Sequence, residues 1–165
     1  MKDKKVLFLA QGAAIAAIYV VLTLVFAPFS FGEVQARISE ALTILPYFTP
    51  AAIPGLFVGC IIANTLGGAI PVDILCGSLA TLLGAVFTYL LRRQTKWLAP
   101  VPPIAANALI VPFVLRFGYG VPLPIPFMML TVGIGEVLSC GVVGMVLLIA
   151  LEKYKGVIFR NTVPS

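Results

Sequence analysis

The sequence predicts an all-α integral membrane protein with six transmembrane helices, the second of them short. Three observations carry this expectation. The 165 residues are 61% hydrophobic and only 10% charged, with a mean hydropathy of +1.11. Apolar residues gather in runs of about 20, the length that crosses a hydrocarbon core of about 30 Å. The runs do not alternate with polar residues, so helices satisfy the backbone in lipid and a closed barrel is excluded. At this length the chain reads as one domain. It is expected to be a single transmembrane unit over 1–165, with 1–5 a cytoplasmic N-terminus and 152–165 a cytoplasmic tail.

The first helix is expected over Val6–Phe26, stopping near Pro28. It is too long for the apolar region of a signal peptide and reads as a retained span. A polar segment, Gly32–Ser39, leads into a brief helix over Arg37–Phe48, too short to cross a bilayer at full thickness. The third span runs over Ala51–Leu66 and ends at Gly67-Gly68, and the fourth over Val72–Leu91, ending at Arg92-Arg93. The fifth, Leu98–Leu115, carries Pro102 and Pro103 in its first turns, where proline is tolerated, and Pro112 inside. A loop with Pro122, Pro124 and Pro126 leads to the sixth, Phe127–Leu151.

The net charge of +5 sits at the ends of these runs, on Lys2, Lys4, Lys5, Arg92, Arg93, Lys96, Lys153, Lys155 and Arg160. That is an orientation signal, which puts both termini in the cytoplasm, and not a stripe for nucleic acid. The chain has no histidine and three cysteines, Cys60, Cys76 and Cys140, all within apolar spans. No metal site, cofactor or disulfide framework is expected from them. No phosphate-binding loop or nucleophile elbow occurs, so neither ATP hydrolysis nor another enzymatic activity is expected of this chain.

Against that apolar background Arg37, Glu40, Asp73 and Glu136 stand out. An intramembrane charge costs roughly 2.5–3.5 kcal/mol on insertion scales, so each suggests function. With Asn64 and Asn107 they fall in the outer half of the predicted topology, which describes a pocket open to the outside and closed below. Each also has a plainer reading. Arg37 is spaced for a local ion pair with Glu33 or Glu40. Asp73 fits the first turn of a helix, where the macrodipole favours an anion. Asn64 and Asn107 fit interhelical hydrogen bonds. Glu136 has no basic residue at i±3 or i±4 and no helix end beside it. On the first helix Ala13 and Ala17, with Ala10 and Ala14 on a neighbouring track, make a smooth surface for helix packing or for another subunit.

Three segments narrow the reading: Val34-Gln35-Ala36-Arg37-Ile38-Ser39-Glu40-Ala41-Leu42, Gly59-Cys60-Ile61-Ile62-Ala63-Asn64, and Asp73-Ile74-Leu75-Cys76-Gly77-Ser78-Leu79-Ala80-Thr81-Leu82. With the alanine-rich first helix they resemble the QueT family, substrate-binding (S) components of energy-coupling factor (ECF) transporters. The resemblance implies a compact S-component bundle in a bacterial plasma membrane. It implies capture of a queuosine precursor, a 7-deazaguanine-like base, from outside. It further implies delivery inward with a transmembrane coupling subunit and two ATPase subunits. The family's Ala-x-x-x-Ala contact with the coupling subunit matches Ala13 and Ala17, with Ala10 and Ala14 as a second register.

A 7-deazaguanine offers two adjacent N–H donors, which a carboxylate accepts together. Glu136 or Glu40 suits that edge, Asn64 or Asn107 the ring's other polar atoms, and Asp73 an aminomethyl cation. Phe29, Phe31, Tyr47 and Phe127 are candidates for stacking. Two other readings remain: an S component for another vitamin, and a small ion-coupled secondary transporter using Glu136 or Asp73 as a proton site. A membrane-embedded enzyme or lipid-binding protein fits less well, because catalytic groups are missing.

Overall fold

The computed structural model describes residues 2–27 and 37–159, and these contain helices and no strand. Glu33, Gln35, Phe29 and Phe31 lie outside the described residues. Helix α1 (Lys2–Val25) starts before Val6, since no proline or glycine interrupts its first turn. The short helix α2 (Ile38–Tyr47) winds as a tight 3-10 helix that contains Pro46. Helices α3 (Ala52–Leu66) and α4 (Pro71–Leu91) follow, α4 with proline in its first turn. Helix α5 (Val101–Phe113) widens into a π-type turn over Val114–Gly118, just after Pro112. A proline at that point removes one hydrogen bond from the helical ladder, and a widened turn re-spaces the rest.

Helix α6 (Ile125–Ile158) is the longest, and it too is π-wound, over Val137–Gly144. It continues past Leu151 because Glu152-Lys153-Tyr154-Lys155 is helix-compatible. Glu152 there accepts from Lys96 at 2.9 Å, tying the α4–α5 connection to the end of α6.

Among the described residues, four helices are long and apolar enough to cross a membrane: Lys4–Val25, Pro71–Leu91, Lys96–Gly118 and Ile125–Ile158. The 15-residue α3 is shorter, and the ten-residue α2 would reach only about 20 Å at a 3-10 rise. The packing resolves this. α1, α3, α4, α5 and α6 make contact in that order around the bundle. α2 lies among them, against α1, α3, α4 and α6, and every residue from Ser39 to Pro46 is buried. Irregular backbone at membrane depth is tolerated where protein encloses it, and α2 meets that condition.

One face of α1 docks α2. Gln11, Ile15, Tyr19 and Thr23 repeat every four residues, and three of them hydrogen-bond across an antiparallel seam. Thr49 donates to Gln11 at 3.2 Å, Tyr19 donates to Glu40, and the Thr23 and Ser39 hydroxyls share a hydrogen bond at 2.7 Å. Against α3, α1 comes closer than side chains normally allow. A methyl group at Gly55 would stand 2.6 Å from the Gly12 carbonyl oxygen. Gly55→Ala is therefore expected to destabilise the bundle by about 1–3 kcal/mol, the usual cost of overpacking. Thermal unfolding in detergent measures this, and an unchanged midpoint would contradict the close α1–α3 contact.

Candidate functional site

The polar side chains singled out from the sequence meet in one cluster at the heart of the bundle. Arg37, Glu40, Asn64, Asp73, Asn107 and Glu136 are all buried, although they come from α2 and its leading residue, α3, α4, α5 and α6. Burial of groups this polar is costly unless they satisfy one another, and the hydrogen bonds supply the reason they gather.

Glu40 is the hub. Its Oε1 accepts from the Tyr19 hydroxyl on α1 and lies 3.4 Å from Thr81 Oγ1 on α4. Its Oε2 lies 3.5 Å from the Asn107 side-chain amide on α5. Its backbone carbonyl accepts from Thr43 at 2.5 Å and stands 3.3 Å from the Cys140 thiol on α6. The same thiol is 3.3 Å from Glu136 Oε2, one helical turn away in the π-wound stretch. That widened turn sets Glu136 and Cys140 side by side, facing α2 (π-turns often mark functional sites).

On the other side of the hub, Arg37 donates to Asn64 Oδ1, and its charge is felt by the carboxylates of Glu40 and Asp73. Asn64 Nδ2 and Thr81 Oγ1 both approach Cys60 Sγ at 3.5 Å, linking α3 to α4. Gly77 leaves room for this end of the cluster. A methyl group there would stand 3.2 Å from Asp73 Oδ1 and 3.3 Å from Asn64 Nδ2.

Asp73 in turn accepts from Tyr119 at 2.8 Å, and the Tyr119 hydroxyl accepts from the Ile70 amide at 3.3 Å. Tyr119 belongs to the α5–α6 loop, so this contact fastens that loop to the start of α4. Burial, then the bond it donates to Asp73, push the Tyr119 phenol above its usual range. It therefore keeps its proton, and donates, throughout neutral pH.

Glu40, Glu136 and Cys140 offer three ligand atoms within 4.8 Å of one another. Two carboxylates with one thiol match neither the all-oxygen shell of calcium or magnesium nor the cysteine–histidine shell of zinc. The three are better described as a hydrogen-bonded knot.

Sequence reasoning missed Tyr19, Thr81, Thr43 and Cys140. Signals existed for two of them. Tyr19 is a lone phenol amid an apolar helix, and a buried phenol seeks a partner. Cys140 follows Glu136 at i+4. Of the described stacking candidates, Tyr47 packs edge-on against Phe48 at 5.1 Å, and Phe48 stacks on Phe159 at 5.2 Å, within the apolar core. Phe127 is half exposed on α6.

The alanines of α1 face the other way. Ala10, Ala13, Ala14 and Ala17 are all exposed, and at 3.6 residues per turn they share an arc of about 100°. Ala13 edges a groove of about 230 Å³ against α3, with Pro54 and Val58 on its far wall. Ala14 edges a larger one of about 510 Å³, floored by α2 and walled by α6.

The model of the QueT transporter family matches residues 9–153, nearly the whole described bundle. The chain belongs to the QueT transporter family. A curated relative, "Queuosine precursor transporter QueT" of Lactococcus lactis subsp. cremoris, is 35% identical over 85 residues. That match covers 50% of this chain and 50% of the relative, so the chain spans about half the length of the curated relative it matches. No solved structure matches the chain. Membership in a transporter family and the four long apolar helices make this a multi-pass membrane protein.

Proposed function

We propose that the chain is the substrate-binding subunit of an ECF-type importer for a queuosine precursor. In this reading it captures a 7-deazaguanine-like base from outside. It then delivers the base inward with a transmembrane coupling subunit and two ATPases. The observation that carries the reading is the convergence of Arg37, Glu40, Asn64, Asp73, Asn107 and Glu136 on one buried cluster in a member of this family. Two carboxylates within 4.8 Å, flanked by an amide, match the paired donors of a guanine-type edge.

Charge narrows the cargo. Among the described residues three buried carboxyl side chains, Glu40, Asp73 and Glu136, face one buried guanidinium, Arg37. The close Glu40–Glu136 pair shares one proton, which with Asp73 against Arg37 leaves one negative charge in excess. An uncompensated charge is costly at this depth, so a base bearing an ammonium group suits the cluster better than a neutral or anionic one. Calorimetric titration of purified protein tests this. 7-Aminomethyl-7-deazaguanine is expected to bind at least about tenfold tighter than its neutral 7-cyano counterpart, about 1.4 kcal/mol. Equal affinities would sink the charge argument, and no binding of either would sink the cargo.

The close Glu40–Glu136 pair also supports a second reading, a proton-coupled transporter that works alone. Vesicles containing only this chain separate the two. Gradient-driven accumulation of the base favours the second reading, and accumulation only with a coupling subunit and ATPases favours the first.

A further inference from the structure

We infer that Tyr19 is a positioning residue for cargo: by donating to Oε1 it fixes how the Glu40 carboxylate is presented to a two-donor base. The inference rests on the cargo reading above and deepens it. Glu40 has three rotatable bonds before its carboxylate, and whichever donor holds one oxygen decides where the other points.

Three donors reach that carboxylate, and they are unequal. Thr81 has a single hydroxyl hydrogen and a nearer acceptor, the Gly77 carbonyl at 3.1 Å against 3.4 Å for Glu40. The Asn107 amide stands at 3.5 Å, the outer limit for such a bond. The Tyr19 hydroxyl donates to Oε1 and has no competing acceptor among the described residues.

Tyr19 is also held firmly in place. Its side chain is 0% exposed. Its Cβ packs on Gly59 of α3, where an added methyl would stand 3.1 Å away. Its carbonyl accepts from Thr23 at 2.8 Å, and Thr23 also holds Ser39 next to Glu40. A phenol has only two side-chain torsions, so a packed ring places its hydroxyl with little freedom.

A carboxylate offers about four acceptor positions. With Tyr19 on Oε1, the second oxygen stays available on the side of Asn107 and Glu136, where a base edge would meet both carboxylates. Without the phenol, Glu40 turns toward other donors, and the paired alignment is lost.

The test is selectivity, which a purely structural role does not move. 7-Deazaguanine carries the ring N–H and an exocyclic amine, and 7-deazahypoxanthine carries the ring N–H alone. Wild-type protein is expected to prefer the first by at least about tenfold, the scale set by losing one bond to a charged acceptor. In Tyr19→Phe, nearly isosteric in this packed position, the preference is expected to fall to within about threefold. In Tyr19→Phe combined with Glu40→Gln, the preference should equal that of Glu40→Gln alone, because Tyr19 acts through Glu40. If Tyr19→Phe weakens both bases equally and keeps the preference, the positioning role is overturned while the cargo reading stands. If wild-type protein binds neither base, the cargo reading fails and takes this role with it. Should Tyr19→Phe not fold, Tyr19→Leu, which likewise removes the donor, replaces it. A preference at the wild-type level in that variant also overturns the role.

Discussion

Glu40→Gln is expected to bind 7-aminomethyl-7-deazaguanine at least about tenfold more weakly than wild type, and Glu136→Gln likewise. The substitution keeps size and removes the anion. At a site that must accept two N–H donors, the glutamine amide keeps one acceptor and sets its own N–H against the base. A hydrogen bond to a charged group contributes about 1.5–3 kcal/mol, and tenfold corresponds to about 1.4 kcal/mol. Glu40→Gln is expected to show the larger effect, because Tyr19 and Arg37 also lose a charged partner. Titration calorimetry reads the affinity and thermal unfolding in detergent shows that the fold persists. Unchanged affinity in both variants would remove these residues from the site.

Ala13→Leu and Ala17→Leu are expected to reduce uptake of the base to background in vesicles that also hold the coupling subunit and ATPases. Binding to the isolated chain should stay within about twofold of wild type. The reason is position. Both alanines are exposed on α1, on the side away from the Tyr19–Glu40 contact. A larger side chain there fills no internal space. It breaks only a close helix–helix approach that small residues permit. Ala10→Leu and Ala14→Leu, on the adjacent track, test the alternative register. If they stop uptake while the Ala13 and Ala17 variants do not, docking uses the other strip. If the Ala13 and Ala17 variants lose binding as well, these alanines serve the internal fold.

The helical class, the number of helices and the polar candidates were legible because lipid punishes exceptions. A carboxylate such as Glu136, in a run like Ile134 to Val146, has few reasons to exist other than a partner across the bundle. What local spacing could not reveal was who that partner is. Arg37 sits at i−3 from Glu40 and reads as half of a local pair, yet it also reaches Asn64, 27 residues away. Glu136 meets Glu40 through Cys140, across the α2–α6 contact.

The winding of α2 was equally hidden. Apart from Pro46 its residues are ordinary helix material, and enclosure by four other helices is what permits a 3-10 geometry there. Helix ends were the least legible. α1 and α6 both run beyond their apolar stretches, because hydropathy marks where lipid ends and not where hydrogen bonding does. Tyr19 went unnoticed because one phenol in an apolar helix fits an interfacial anchor as well as it fits a buried donor.

The most direct test is a structure of the protein determined with 7-aminomethyl-7-deazaguanine. The account predicts the amine edge of the base about 3 Å from the Glu40 and Glu136 carboxylates, with the ring among Asn64, Asp73 and Asn107. A base bound in either apolar groove beside α1, with Glu40 and Glu136 still bonded only to protein, would contradict it.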